Sequence, residues 1–385
     1  MSYRLSLLAV AFISLSCHST SRPTPSAAES GAYVVRLGSD TVAIDSYTRV
    51  GDRVEGTFMA RAPVTAVTKY VITVNPNGMP SLFEVTQRLP SGGLIPPNNT
   101  RSATVTFVGD SAITQIQRDT LVTRRVLARS AFPYINFAVS MYALPIAALR
   151  AANTDSAAFS IVGAGGGNPN PFVVVRKAPN RYWMILGGYP TEVTTDDRGR
   201  VLTVDGAHTT QHILATRQSS ADVPGLAAMF AARGGVLSPR DTINANVGAA
   251  QIWVDYSRPS TRGRRVFGAN GVLGDTIWRT GANAATQFRS NVPLTIAGQT
   301  LPAGMYTLWT VAIPGQYQLI FNTQVGQWGT EYHADRDLVR VPLQATQLPQ
   351  PVDRFTIAVD PASGNAGVIH FRWDTTDLAL PFTTP

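Results

Sequence analysis

The sequence predicts an all-β chain with one or two helices, in two domains: an N-terminal antiparallel sheet curled around a helix and a C-terminal β-sandwich. Three observations predict it. Short segments rich in β-branched residues recur from Ala32 onward, each closed by a Gly, Asn or Asp turn signal. Only two stretches, Tyr134–Ala152 and Val223–Arg233, read as helix. A chain of 385 residues exceeds one ordinary domain, which makes two the expected number.

At the N-terminus, Arg4 precedes the apolar run Leu5–Leu15, far shorter than the roughly 20 residues a bilayer-spanning helix needs. The run ends at Ser16-Cys17. A small residue before the single cysteine resembles a lipobox, in which the thiol is acylated and becomes the new N-terminus. Lipoboxes usually carry Leu three positions before the cysteine; here Ser14 holds that place and Leu15 follows it. The alternative, cleavage near Ser26-Ala27-Ala28, lies far beyond the apolar run. Residues 1–16 are therefore read as a signal peptide and 17–31 as a lipidated, polar, Pro-containing tether. The expected location is the cell envelope, on the periplasmic face or the cell surface, with the outer membrane as partner through the lipid on Cys17.

Composition narrows the chemistry. With Cys17 acylated, no thiol remains for a disulfide, a thiolate metal site or a cysteine nucleophile. The net charge of +8 comes almost wholly from scattered arginines, Lys69 and Lys177 being the only lysines. Nucleic-acid proteins concentrate charge on one face and interleave aromatics, so no nucleic-acid partner is expected.

Along residues 32–222, segments such as Ala32–Leu37, Arg53–Met59 and Thr68–Val74 alternate with turns at Gly38-Ser39-Asp40, Gly51-Asp52 and Asn75–Gly78. Thr191–Thr195, Asp196–Gly199 and Arg200–Val204 read as a hairpin. This spacing predicts antiparallel meanders. Tyr134–Ala152 is apolar nearly all round, so a helix there, kinked at Pro145, is expected to lie buried against the sheet and fill it. The plan is similar, in architecture only, to the half-barrels of lipoprotein-sorting proteins, whose curled sheets can enclose an apolar cavity. Asp222 is the expected N-cap of the helix Val223–Arg233, and Gly234-Gly235 its stop, so residues 223–239 are read as helix and linker.

Residues 240–385 carry six motifs in order: Val254-Asp255-Tyr256-Ser257-Arg258-Pro259, Gly263-Arg264, Val266-Phe267-Gly268, Trp278-Arg279-Thr280-Gly281-Ala282-Asn283, Leu301–Leu308 and Gly326-Gln327-Trp328-Gly329-Thr330. On these the segment of about 240–382 resembles the bacterial domain of unknown function 2911, departing from it at Met305, where Thr is usual, and at His333. The resemblance implies a shared fold and no assigned activity. The second domain is expected to be a sandwich of about ten strands.

In a strand through Ile252–Tyr256, alternation puts Ile252, Val254 and Tyr256 in the core and Trp253, Asp255 and Ser257 on the other face. With Arg258, Arg279, Asn283 and Trp328, that face makes a set suited to a small polar, anionic or glycan-type ligand. Arginine grips carboxylate or phosphate, Ser and Asn orient, and Trp stacks. The competing reading pairs Asp255 with Arg279 or Arg258 as a loop tie. A buried guanidinium without a partner costs several kcal/mol, so an acidic partner is expected in either case. A hydrolase using Asp255, Ser257, Arg279 and His333 is the second functional reading, although no Gly-x-Ser-x-Gly elbow supports a triad. A structural or assembly role is the third.

No cofactor or metal is expected. His208 and His212 fall on strand and turn, where an i, i+4 pair lies about 13 Å apart. Glu331, His333 and Asp335 fit a solvated turn better than an ion site. Gly163–Gly167 runs into Asn-Pro turns and a strand rather than a helix, so it is no phosphate loop. His370, Arg372 and Asp374 alternate with Ile369, Phe371 and Trp373 and read as a solvated sheet face.

Overall fold

The computed structural model describes residues 28–385 except 63, 210, 234, 269–270, 275–276 and 314–315. The signal peptide, the acylation of Cys17, most of the tether and Gly234 as a helix stop lie outside the described residues.

The β-branched segments form strands as their period requires. The first eight run β1 (Glu29–Leu37), β2 (Asp40–Val50), β3 (Arg53–Ala60), β4 (Ala66–Val74), β5 (Pro80–Arg88), β6 (Ser102–Val108), β7 (Ser111–Gln117) and β8 (Leu121–Leu127). After the short β9 (Ala131–Pro133) come a 3-10 turn, Val139–Tyr142, and α1 (Ala143–Ala151). Six further strands follow: β10 (Ser156–Val162), β11 (Asn170–Ala178), β12 (Arg181–Leu186), β13 (Tyr189–Thr195), β14 (Val201–Asp205) and β15 (Ile213–Gln218). They make one fifteen-stranded sheet in the order β8 to β1, then β15 to β9. Every neighbouring pair is antiparallel except β9 with β10. β1 begins at Glu29, so the last tether residues belong to the sheet.

The sheet curls until its two arms meet. From β8, the Arg124 guanidinium donates to the Gly166 carbonyl and to Asn168 Oδ1, both at 2.7 Å. The glycine-rich Gly163–Gly167 segment is thus a turn between β10 and β11 that ties the far edge down, which also blunts an open strand edge.

Inside the curl, Tyr33, Tyr70, Phe83, Phe132, Leu144, Ile146 and Leu149 share one core. The helix is shorter than the sequence suggested, because Tyr134–Ala138 stays a loop. Pro145 does not kink it: it is the third helical residue, in the first turn, where backbone N–H groups have no intrahelical acceptor to lose. The helix does not fill the curl completely either; a cavity remains at the end that faces the second domain.

α2 (Val223–Arg233) is capped as expected, with the Gly225 N–H donating to Asp222 Oδ1 at 3.1 Å. It lays Val223, Ala227 and Phe230 against Ile44 and Met59, on the opposite face of the sheet from α1. It therefore packs on the first sheet.

The second sheet contains β16 (Arg240–Val247), β17 (Ala250–Ser257), β18 (Thr286–Ser290), β19 (Leu294–Ile296), β20 (Gln299–Leu301), β21 (Gly304–Ile313), β22 (Gln316–Asn322), β23 (Asp337–Pro361) and β24 (Ala366–Thr383). Their order is β16-β17-β18-β21-β22-β23-β24-β19-β20. The start of β23 pairs with β22 and the remainder with β24, with register breaks between Gln347 and Thr356. Pro349 and Pro351 sit in that break, and strands admit proline at such irregularities. β23 thereby carries the sheet from one layer to the other, and the described residues form nine strands where about ten were expected. Between the layers, Trp278 stacks on Trp373 at 5.5 Å and the Ile357 N–H donates to the Tyr256 hydroxyl at 3.0 Å. Ile369, Phe371 and Trp373 are buried, as their alternation requires. The opposite face carries an ion-pair network: Asp377 takes His370 Nδ1 at 2.8 Å and Arg372 Nε at 3.2 Å.

One buried acid sits in the first core. Asp45, fully enclosed, accepts the Tyr70 hydroxyl at 2.7 Å and the Ser140 N–H at 2.7 Å, pinning the turn before α1 to β2. Loss of hydration outweighs these bonds and raises its pKa above the ordinary carboxyl value. A raised folded-state pKa gives a contribution complete below the unfolded value near 4 and lost as pH rises through the folded value. The stability advantage of the wild type over Asp45→Asn should therefore be largest in acid and shrink toward neutral pH, by at most about 1.4 kcal/mol per pH unit. Urea unfolding of both proteins across pH 4–8 checks this; a pH-independent difference contradicts it.

Candidate ligand-binding cleft

The C-terminal wall of the cleft grows out of an edge contact. Trp278 exchanges backbone hydrogen bonds with Thr310 at 2.8 and 2.7 Å, and its ring turns into the core. The next side chain, Arg279, consequently faces the other way. The chain then doubles back through Thr280 (φ 52°) and Asn283 (φ 62°), with Thr286 Oγ1 donating to the Thr280 carbonyl at 2.7 Å.

A second loop closes on the first. Trp328 bridges Ala284, the Gly329 N–H donates to the Asn283 carbonyl at 2.9 Å, and Arg279 Nη1 donates to the Gly329 carbonyl at 2.9 Å. A Cβ on Gly329 would lie 1.8 Å from Arg279 Cδ and 2.5 Å from the Asn283 carbonyl oxygen. Only glycine allows this approach. The Trp-Arg-Thr-Gly-Ala-Asn and Gln-Trp-Gly motifs are therefore two halves of one device that positions Arg279.

Arg279 is 7% exposed. Among the described residues its hydrogen bond goes to a carbonyl, its Nε has no partner, and no carboxylate pairs with it. Burial lowers its pKa, with a small opposing influence from Tyr189. An arginine nevertheless keeps its charge in proteins. This arrangement overturns the expectation of an acidic partner.

The guanidinium stands at the junction of two lobes between the domains. The first, about 340 Å³, reaches into the curled sheet along Phe132, Met141, Pro145, Ile161, Phe172 and Met184. The second, about 360 Å³, lies between Leu37, Val42, Leu237, Trp278, Arg262 and Arg264. Phe137, Gln211, Arg279, Asn283 and Trp328 border both. Phe137 does so with φ 71°, a left-handed conformation that bulky residues avoid and that clusters at functional sites.

Charge in the cleft has one sign. Every charged side chain among its described lining residues is an arginine. Each of the three Arg264 guanidinium nitrogens donates to a carbonyl, of Thr261, Gln211 or Ser260, at 2.7–3.0 Å. Burial, and then the neighbouring Arg262, bring its pKa down to about 10, so it too is cationic at neutral pH. Arg262 is the domain clamp: it pairs with Asp40 of the β1–β2 turn, and its carbonyl accepts the Ser39 N–H at 2.8 Å. Gly38 (φ 61°) is needed there, since a Cβ would run into the Arg262 carbonyl.

The residues proposed from sequence divide. Arg279, Asn283 and Trp328 meet in this cleft, Trp328 being 52% exposed. Asp255 does not join them. It is held by Arg240, from Nε to Oδ1 at 2.6 Å and Nη2 to Oδ2 at 2.5 Å, because register sets Arg240 opposite Ser257 on the neighbouring strand. It pairs with neither Arg279 nor Arg258. Arg258 ties the layers together through Asp241, the Phe355 carbonyl and Thr356. Ser257 is buried and lines neither lobe, and His333 is exposed at the start of a 3-10 turn. The Asp255/Ser257/Arg279/His333 cluster is therefore not assembled as a catalytic unit. Among the described residues no group of His, Cys, Asp and Glu could hold a metal, and His208 instead packs against Trp183 at 6.0 Å.

Sequence reasoning missed Phe137, Gln211, Arg262 and the part played by Arg264. The legible signal for the last two was Arg262-Gly-Arg-Arg265, the densest cationic run in a chain of scattered arginines.

Fold and site together define a two-sheet, all-β protein with a cationic cleft between its sheets. Its residues 238–382 match the family described as a protein of unknown function, DUF2911. Among solved structures, a DUF1089-family protein from Pseudomonas aeruginosa is 14% identical, covering 43% of this chain and 89% of its own, with a TM-score of 0.32; so distant a likeness carries no argument. Among curated proteins none matches the sequence.

The geometry makes Arg279 and Asp255 independent. Arg279→Ala and Asp255→Ala should therefore change stability additively, within about 0.5 kcal/mol. Gly329→Ala should cost about 1–3 kcal/mol by overpacking against Arg279. Thermal and urea unfolding of the three single variants and the double variant check both; coupling above about 1 kcal/mol between Arg279 and Asp255 contradicts the first.

Proposed function

We propose that this protein is a binding module for a small anionic ligand, taken up in the cleft between its two sheets. Arg279 grips the anion, Asn283 orients it and Trp328 covers it. The single observation that carries this reading is Arg279: a buried guanidinium that lines a cavity and has no carboxylate partner among the described residues. Such a charge is costly unless something pairs with it. Arg262 and Arg264 across the second lobe add to the attraction for an anion. A hydrolase is disfavoured by the same geometry, since among the described residues no nucleophile and base meet beside Arg279. Where Cys17 is acylated, the module is held at the cell envelope. Labelling with a palmitate analogue, lost on Cys17→Ser, checks that part.

The binding claim is tested with a panel of acetate, phosphate, citrate, glucuronate and decanoate, followed by thermal melts and calorimetry. At least one should stabilise the wild type. A charge-assisted hydrogen bond is worth about 1.5–3 kcal/mol, so Arg279→Ala should weaken it by roughly 10- to 150-fold. If no anion binds, or if binding ignores Arg279, the reading fails.

A further inference from the structure

The shape of the cleft says more about its ligand than the charge does. We propose that the ligand is an amphiphile with one apolar chain: its anionic head sits at Arg279 and Asn283, and the chain runs into the curled sheet between Phe132, Met141, Ile161, Phe172 and Met184. This rests on the reading of Arg279 as an anion site and narrows it to a chemical class, a long-chain carboxylate or monoalkyl phosphate.

Three observations carry it. The first lobe holds Arg279 as its only charged side chain among the described lining residues, and Arg279 stands at the border with the second lobe. Beyond that border Phe132, Phe172, Met141 and Met184 form an aromatic and thioether wall, with hydroxyls only at its margins from residues such as Tyr134, Tyr142, Tyr189 and Thr191. Phe159 meets Phe132 at 5.1 Å and Phe172 at 5.6 Å and backs a rigid side, while Met141 and Met184 offer adaptable contact on the other. A glycan or another polyhydroxy ligand would leave hydroxyls unpaired against such a wall. A bare small anion would leave about 340 Å³ of largely apolar space unfilled. A chain satisfies both the wall and the volume.

Second, the polarity is ordered. Gln211, Arg279 and Asn283 border both lobes, so a head placed there has the chain on one side and the cationic second lobe on the other. On that side Arg264, though hydrogen-bonded to carbonyls, keeps its charge and adds positive potential toward the head. Third, Phe137 lies on this border in its left-handed conformation, where its ring can divide chain from head.

The test is isothermal titration of the full chain with butyrate, octanoate, decanoate and dodecanoate below micelle-forming concentrations, with dodecyl phosphate as the second head and dodecanol as the uncharged control. Affinity should tighten about two- to fourfold per added methylene until the lobe is full. Dodecanol should bind at least tenfold more weakly than dodecanoate, and Arg279→Gln should erase that difference. Met184→Trp, with Ile161→Phe as the milder alternative, should shorten the chain length at which affinity stops rising. If Arg279-dependent binding shows no chain-length dependence, the amphiphile is wrong and the anion site stands. If dodecanol binds as well as dodecanoate, the ordered head-and-tail reading is wrong. If no anion of any length binds, both readings fall together.

Discussion

A buried guanidinium normally finds a carboxylate, and among the described residues Arg279 has only the Gly329 carbonyl. The surroundings are built to keep it so. Two loops from different parts of the second sheet close on its side chain, one supplying the arginine and the other a glycine whose missing Cβ leaves it room. Asp255, the acid the motifs suggested as its partner, is occupied by Arg240 across the β16–β17 ladder. An uncompensated charge of this kind destabilises the free protein. That is the expected cost of a site held ready for a partner from outside.

The two sheets contribute unequally. Each has its own aromatic core, and the cleft exists because they meet at a narrow clamp rather than across a broad face. Asp40 with Arg262, and Arg264 with the Gln211 carbonyl, fasten the β1–β2 and β14–β15 turns to the second domain. The first sheet brings the apolar lobe that its helix leaves open, and the second brings the cationic wall. The proposed recognition of a molecule with two chemical ends rests on that division.

Much of the fold was legible from residue pattern. Period-two alternation marked the strands, and the Asp222 cap marked α2. The motif residues of the second domain also located the cationic wall, since Arg279, Asn283 and Trp328 stand together. Other features were hidden for physical reasons. The partner of Asp255 depends on strand register, which alternation along one strand does not reveal. The length of α1 depends on Tyr134–Ala138 leaving the helix to form the cleft, a tertiary choice that overrides local propensity. The apolar lobe is assembled from β9 to β12, the 3-10 turn and α1, and no local pattern announces a space between them.

The central claim is that the Arg279 guanidinium waits for an external anion, and its own Nε–Hε resonance reports this most directly. Arginine side-chain NMR spectra of the wild type and of Arg279→Lys assign the signal by its disappearance. On titration with dodecyl phosphate, the account predicts that the Arg279 signal moves to saturation, while the Arg240 signal, its guanidinium already paired with Asp255, stays in place. An Arg279 signal that never moves while other resonances report binding would contradict it.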